Sequence, residues 1–135
     1  MVVGGCSTTP TLEKFDADEV SVGEEELFVA LASTATERSQ GLSGLTEIPE
    51  GIDGMLFSWD EPTSTSFHMR DVGFPLDVWW FDADGSLIGS ARMEPCVEDE
   101  CPSYSTPGPI MWALETPADV RDFDPGVLVS NVEKG

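Results

Sequence analysis

The chain is 135 residues long and carries 26 acidic against 6 basic side chains, a formal net charge of −20. That length fits one domain, or one domain and a tail, and 40% hydrophobic residues supply enough apolar surface for a core, which excludes wholesale disorder. No run of about 18 apolar residues occurs, so no transmembrane helix is expected, and so acidic a surface repels phosphate backbones, which argues against nucleic-acid binding.

The charge is not confined to a tail. Residues 27–115 carry fifteen acids against Arg38, Arg70 and Arg92. Two readings stand side by side: a solvated acidic surface that serves solubility, and adaptation to high salt, where screening removes self-repulsion.

Along the chain, Met1-Val2-Val3-Gly4-Gly5-Cys6 is short, apolar and ends at a cysteine. It resembles the end of a lipoprotein signal, in which a small residue precedes the lipid-bearing cysteine, although the basic n-region and a full apolar stretch are missing. Lipidation of Cys6 is therefore expected, the alternative being an ordinary N-terminus with a chance cysteine. Residues 7–26 are Ser/Thr/Pro and then acids, with few large apolar side chains to repay ordering entropy. Residues 1–26 accordingly read as a signal remnant plus a disordered acidic tether, and residues 27–133 as a single β-rich domain. The implied location is extracytoplasmic, with membrane contact only through a lipid anchor on Cys6.

Within the domain, residues 26–33 alternate around Leu27, Val29 and Leu31 and read as a strand. Thr34 with Glu37 three residues on is a capping box, which predicts a short helix over 35–42. Residues 43–53 form a loop. Residues 54–59 and 64–69 read as strands, and 75–82 is the clearest one. Val78, Trp79, Trp80 and Phe81 are bulky in succession, so both faces of that strand are expected to be covered. Asp82-Ala83-Asp84-Gly85 is a hairpin turn that leads into a partner strand over 86–93. Further strands are expected at 110–115 and 127–132. Short strands, frequent turns and one small helix point to a mainly β fold, a compact barrel or sandwich.

There are three cysteines. If Cys6 carries lipid, Cys96 and Cys101 remain as a pair in a short loop flanked by Pro95 and Pro102. In an exported protein a disulfide is the first expectation. The rival is a metal site, but zinc wants about four ligands and the chain offers a single histidine, His68.

An ordered set of short motifs then carries a resemblance. Glu37-Arg38-x-x-Gly41-Leu42 is followed by Gly54-Met55-Leu56-Phe57, Phe67-x-Met69-Arg70, Pro75-Leu76-Asp77-Val78 and Phe81-Asp82-x-Asp84-Gly85. The cysteine loop, Tyr104 and Ala113-Leu114-Glu115 complete the order. The set resembles the domain of unknown function 192 family, small and often exported bacterial and archaeal proteins, over residues 27–132. The resemblance implies a compact, mainly β fold and no particular activity. This chain departs from the family pattern at several places. Ser43 and Leu45 stand where the family has Met and Arg. The segment Phe67-His68-Met69-Arg70-Asp71-Val72 replaces Phe-Trp-Met-Lys-Asn-Thr, and Asp119 replaces a glycine.

No nucleophile elbow, P-loop, dinucleotide fingerprint or His-Glu-x-x-His motif occurs, so no cofactor is expected. The best polar set is Glu37, Arg38, Arg70, Asp77 and Glu115, and His68 is a further candidate. Scarce arginines in an acidic chain are expected to meet carboxylates as structural ion pairs. The same groups could instead line a barrel mouth and clamp a ligand carboxylate or phosphate. Asp77 and Glu115 could act as an acid/base pair if they face one another, and His68 could serve a small hydrolase. Trp79 and Trp80 must face opposite sides, so one of them is expected to be exposed or to lie under another element. The expectation is a monomeric domain that binds a small ligand or an envelope protein. The alternatives are a hydrolase, and an assembly partner without a ligand site.

Overall fold

The structure is a computed structural model, and it describes residues 12, 14–123 and 128–130. Among these residues the chain order is β1 (Ala17–Val22), β2 (Glu25–Ala32), α1 (Ala35–Gln40), β3 (Gly54–Thr63), β4 (Ser66–Phe67), β5 (Leu76–Phe81), β6 (Leu87–Met93), β7 (Tyr104–Ser105), β8 (Ile110–Pro117) and β9 (Leu128–Ser130). Seven strands form one sheet in the order β6-β5-β8-β3-β2-β1-β9, and β4 pairs with β7 in a separate ribbon. Pairing is antiparallel except between β2 and β3. A parallel pair needs a long crossover, and α1 with the loop after it supplies one.

The outer strands β6 and β9 do not pair with one another, so the sheet stays open. Of the two expected architectures, the closed barrel does not hold and the sandwich-like β fold fits. Phe67 of β4 and Tyr104 of β7 pack on one face of the large sheet, together with Leu42 and Leu45 from the crossover.

The acidic segment before residue 27 behaves differently from expectation. Residues 17–22 are β1, paired along their whole length with β2. The disorder expected over 7–26 therefore does not hold at Ala17–Val22, and the sheet begins nine residues before the strand read over 26–33. The reason is local alternation. Val20 and Val22 are buried while Asp18, Glu19 and Ser21 stay out of the core, so the strand keeps its charge in water and its valines in the interior. Gly23, at φ 61°, opens the two-residue turn into β2 with the Gly-first chemistry that such hairpins use. Leu12 and Phe15 are buried as well. Cys6 lies outside the described residues.

The core is two apolar clusters, one on each face of the sheet. Met55, Phe57, Leu76, Val78, Trp80 and Ala113 belong to one. Leu27, Val29, Leu56, Trp79, Phe81 and Leu114 belong to the other. Every residue of β5 is buried, which is the double coverage its bulky run predicts. Both adjacent tryptophans are covered. Trp80 packs near Phe67, at 6.2 Å between ring centroids. Trp79 lies edge-on to Phe123 at 4.9 Å and donates from Nε1 to Thr116 Oγ1 at 3.2 Å.

Helix α1 starts as the capping box predicts. The Thr34 hydroxyl accepts from Glu37 N at 3.1 Å, and Glu37 Oε1 accepts from Ser33 N and Thr34 N. Those bonds, the one from Ser33 foremost, hold the Glu37 carboxyl below its usual range. The helix ends two residues short of expectation, at Gln40, because Gly41 takes φ 50° and terminates it. The hairpin turn after β5 is also as expected. Asp82 Oδ1 accepts from the backbone N–H of Asp84 and of Ser86, and Gly85 takes φ 82°. The strand expected over 64–69 shrinks to Ser66–Phe67, while β3 runs on to Thr63 past an irregularity in its pairing with β8.

Candidate functional site

Glu37 caps α1, and the fold divides the other polar candidates among three hollows. Arg38, His68 and Glu115 line one of about 350 Å³. Arg70 lines a second, beside the cysteine loop. Asp77 lines a third, with Arg92 and Asp119.

Strand alternation explains the separation of the two carboxylates. Glu115 shares the face of Ala113 and pairs across the sheet with Met55 on β3 and Val78 on β5. Asp77 sits next to Val78 on β5 and so points to the opposite face. The pair therefore cannot face one another across a cleft, and the acid/base arrangement considered for them does not form. Asp77 instead takes a structural place. Its Oδ1 accepts from Arg92 Nε at 2.6 Å and its Oδ2 from Asp119 N at 3.0 Å. Arg92 also bonds the Asp119 carboxylate. Asp119 occupies φ 68°, the left-handed region that favours glycine, which fits the glycine that the family resemblance implies there. Asp71 has the same φ of 68°, so its slot is set by backbone shape, which Asn and Asp both tolerate.

The ion-pair expectation holds for some arginines and fails for others. Arg92 meets Asp77 and Asp119, and Arg121 meets Glu25 and Asp53. Among the described residues, Arg38 and Arg70 form no salt bridge. Arg70 donates to the backbone carbonyls of Glu98 and Asp99 at 3.2 and 2.9 Å. It thereby holds the loop that Cys96 and Cys101 close with a disulfide, whose Cα atoms are 5.8 Å apart. Its guanidinium is committed to that loop and lies outside the hollow that holds Arg38.

The hollow with Arg38 has the features of a binding site. Its walls are aromatic: Phe57 lies edge-on to Phe67 at 5.7 Å, and Trp59 edge-on to Phe67 at 6.4 Å. Arg38 projects from α1 and stacks over Trp59, 5.3 Å from the ring centroid. Its Nη1 donates to the carbonyls of Ser33 at 2.9 Å and Ser58 at 2.7 Å, which ties the helix to β3 and fixes the guanidinium plane. Glu115 completes the lining and is only 5% exposed. Burial between apolar neighbours pushes its carboxyl up to about 8, with no hydrogen bond or opposite charge acting against the shift. Burial thus favours the protonated form, which can donate as well as accept.

His68 lies at the same hollow and is exposed, while its neighbour Met69 is buried. Its Nδ1 accepts from Arg70 N at 3.2 Å. None of the four tryptophans is exposed: Trp79, Trp80 and Trp112 are buried and Trp59 is half-buried. The contribution of Phe57, Trp59 and Phe67 as one aromatic wall was not legible as a motif, because they come from two strands that meet only in the fold. The Asp77–Arg92 pairing was not fixed by the turn alone: counted from Phe81 opposite Leu87, Asp77 would meet Ala91, and the register shift between Trp80 and Phe81 brings Arg92 to it.

Among functionally curated proteins, none matches the chain. Two crystal structures are similar to it. One is a protein of Sinorhizobium meliloti 1021 put forward as a transcription regulator, with 22% identity and a TM-score of 0.70 over 85% of this chain and 94% of that one. The other is a protein of unknown function from Novosphingobium aromaticivorans DSM 12444, with 20% identity and a TM-score of 0.72 over 96% of this chain and 98% of that one. At these identities the likeness speaks to fold alone. The family model DUF192, described as Uncharacterized ACR, matches residues 18–123, and this chain belongs to that family.

Proposed function

We propose that the domain is a small-molecule binding module of an exported, lipid-anchored protein. The observation that carries the binding reading is the largely buried Glu115, whose charge burial disfavours, lining a hollow that also holds Arg38 and an aromatic wall. Few convergent polar groups on an apolar lining are the usual composition of a ligand pocket. The hydrolase alternative loses its Asp77–Glu115 pair, and the assembly alternative loses its exposed tryptophan. Export is supported by the Cys96–Cys101 disulfide and by the residues that precede Cys6.

The test is a paired native and denaturing mass spectrum of the protein isolated from its own host's envelope. An added mass that survives native spraying and is lost on denaturation is expected. A bare polypeptide under both conditions counts against the binding reading. Lipid on Cys6 is expected in the same denaturing spectrum, and an unmodified thiol there ends the anchor reading.

A further inference from the structure

We infer that the Arg38 hollow is built for a small monocarboxylate with an apolar or aromatic body, bound through the free Nε/Nη2 edge of Arg38 and laid against Phe57 and Phe67. This rests on the binding reading above and adds the chemical class of the ligand.

Arg38 differs from every other arginine among the described residues. Arg92 and Arg121 are held by carboxylates, and Arg70 is held by the carbonyls of Glu98 and Asp99. Arg38 has only Nη1 occupied, by two backbone carbonyls. Nε and Nη2 make no hydrogen bond among the described residues. Those two nitrogens share one edge of the guanidinium and present two parallel N–H groups, the fork that matches a carboxylate. The stack on Trp59 and the bonds to Ser33 and Ser58 hold the fork in place before any ligand arrives, so little side-chain entropy is lost on binding.

The remaining lining settles the sign of the ligand's charge. Glu115 is the sole carboxylic acid of the hollow and burial disfavours its charged form, so Arg38 is the permanent charge of the lining. A ligand ammonium would meet that charge unopposed. A phosphate dianion would set two negative charges against one guanidinium. A carboxylate is matched by one arginine. The volume of about 350 Å³ and the three aromatic side chains leave room for a single ring or a short chain beyond it. In a chain of net charge −20, an arginine left open beside an aromatic wall is a poor choice for any ligand that is not anionic.

The experiment is a titration of the full chain with benzoate, benzyl alcohol and benzylamine, followed by backbone amide shifts in two-dimensional NMR. Benzoate is expected to shift residues around Arg38, Phe67 and Glu115, and to bind at least about tenfold more tightly than the other two. Arg38→Lys keeps the charge but loses the fork, and is expected to weaken benzoate about tenfold and leave benzyl alcohol unchanged. Arg38→Gln serves as the second variant, with the dispersion of its spectrum reporting whether it is folded. Benzylamine or benzyl alcohol binding as tightly as benzoate in the same hollow overturns the carboxylate assignment and leaves the pocket standing. No shift at the hollow with any of the three at millimolar concentration counts against both.

Discussion

Replacing Glu115 by Gln changes one atom of a buried side chain and removes its titration. The folded carboxyl titrates at about 8 against an ordinary value of 4.5, and burial is the cause. Below 4.5 both folded and unfolded chains hold the proton, and the group takes nothing from stability. Between 4.5 and about 8 the folded chain keeps a proton that the unfolded chain has released, so stability falls as pH rises, by about 1.4 kcal/mol per pH unit. Above about 8 both states are ionised and the loss levels off. The loss across the window is on the order of 5 kcal/mol, an upper figure because water entering the hollow would relieve some of it. Glu115→Gln removes this slope. The variant and the parent are expected to melt within a few degrees of each other at pH 4.5–5. At pH 8.5 the variant is expected to be more stable by several kcal/mol, which corresponds to a rise in Tm of about 10 °C for a chain of this size. Thermal melts of both proteins from pH 4.5 to 9, compared as the difference in Tm, cancel the titration of the other acids. A difference that stays flat over the range would refute the reasoning, because it would mean that Glu115 is solvated or paired in the folded protein.

Two further outcomes follow from specific contacts and a third from the net charge. A Cβ at Gly54 would stand 2.2 Å from the carbonyl oxygen of Glu115, so Gly54→Ala must push β3 away from β8; a loss of about 3 kcal/mol or more is expected in urea unfolding, and an unchanged midpoint would show that the strands tolerate the shift. Thr34→Ala removes the hydroxyl that accepts from Glu37 N and is expected to cost about 1 kcal/mol in the same assay, with no loss if the short helix is held by Arg38 alone. Molar potassium chloride is expected to raise Tm relative to dilute buffer, since a net charge of −20 repels itself when unscreened, and a Tm that does not rise removes the high-salt reading of the composition.

Much of the fold is local and was therefore visible in the chain. The capping box of Thr34 and Glu37, the Asp82–Gly85 turn and the all-apolar run of β5 each act through neighbours a few residues apart, so their signals survive in the sequence alone. Short strands and frequent turns pointed to the mainly β class, the order of the family motifs agreed with it, and the short proline-flanked loop brought Cys96 and Cys101 together. Strand β1 was missed because two valines among acids and small polar residues carry too weak an alternation to outweigh the composition around them. It becomes a strand by pairing with β2, and that stabilisation is not local.

The site divides along the same line. Sequence could name Arg38, His68, Arg70, Asp77 and Glu115 as the polar residues worth following, because charged side chains at motif positions stand out in any chain. Which of them meet was decided by the pleat and by strand order. Adjacent positions on β5 point to opposite faces, so Asp77 went to Arg92 while its neighbour Val78 came to lie beside Glu115. Arg70 was drawn to the disulfide loop by a bridge between its own backbone and Cys96. The open edge of Arg38 and the neutral state of Glu115 depend on which groups lie within a few ångströms and on how much water reaches them. Those are properties of packing across β3, β4, β8 and α1, elements far apart in the chain, and only the tertiary structure decides them.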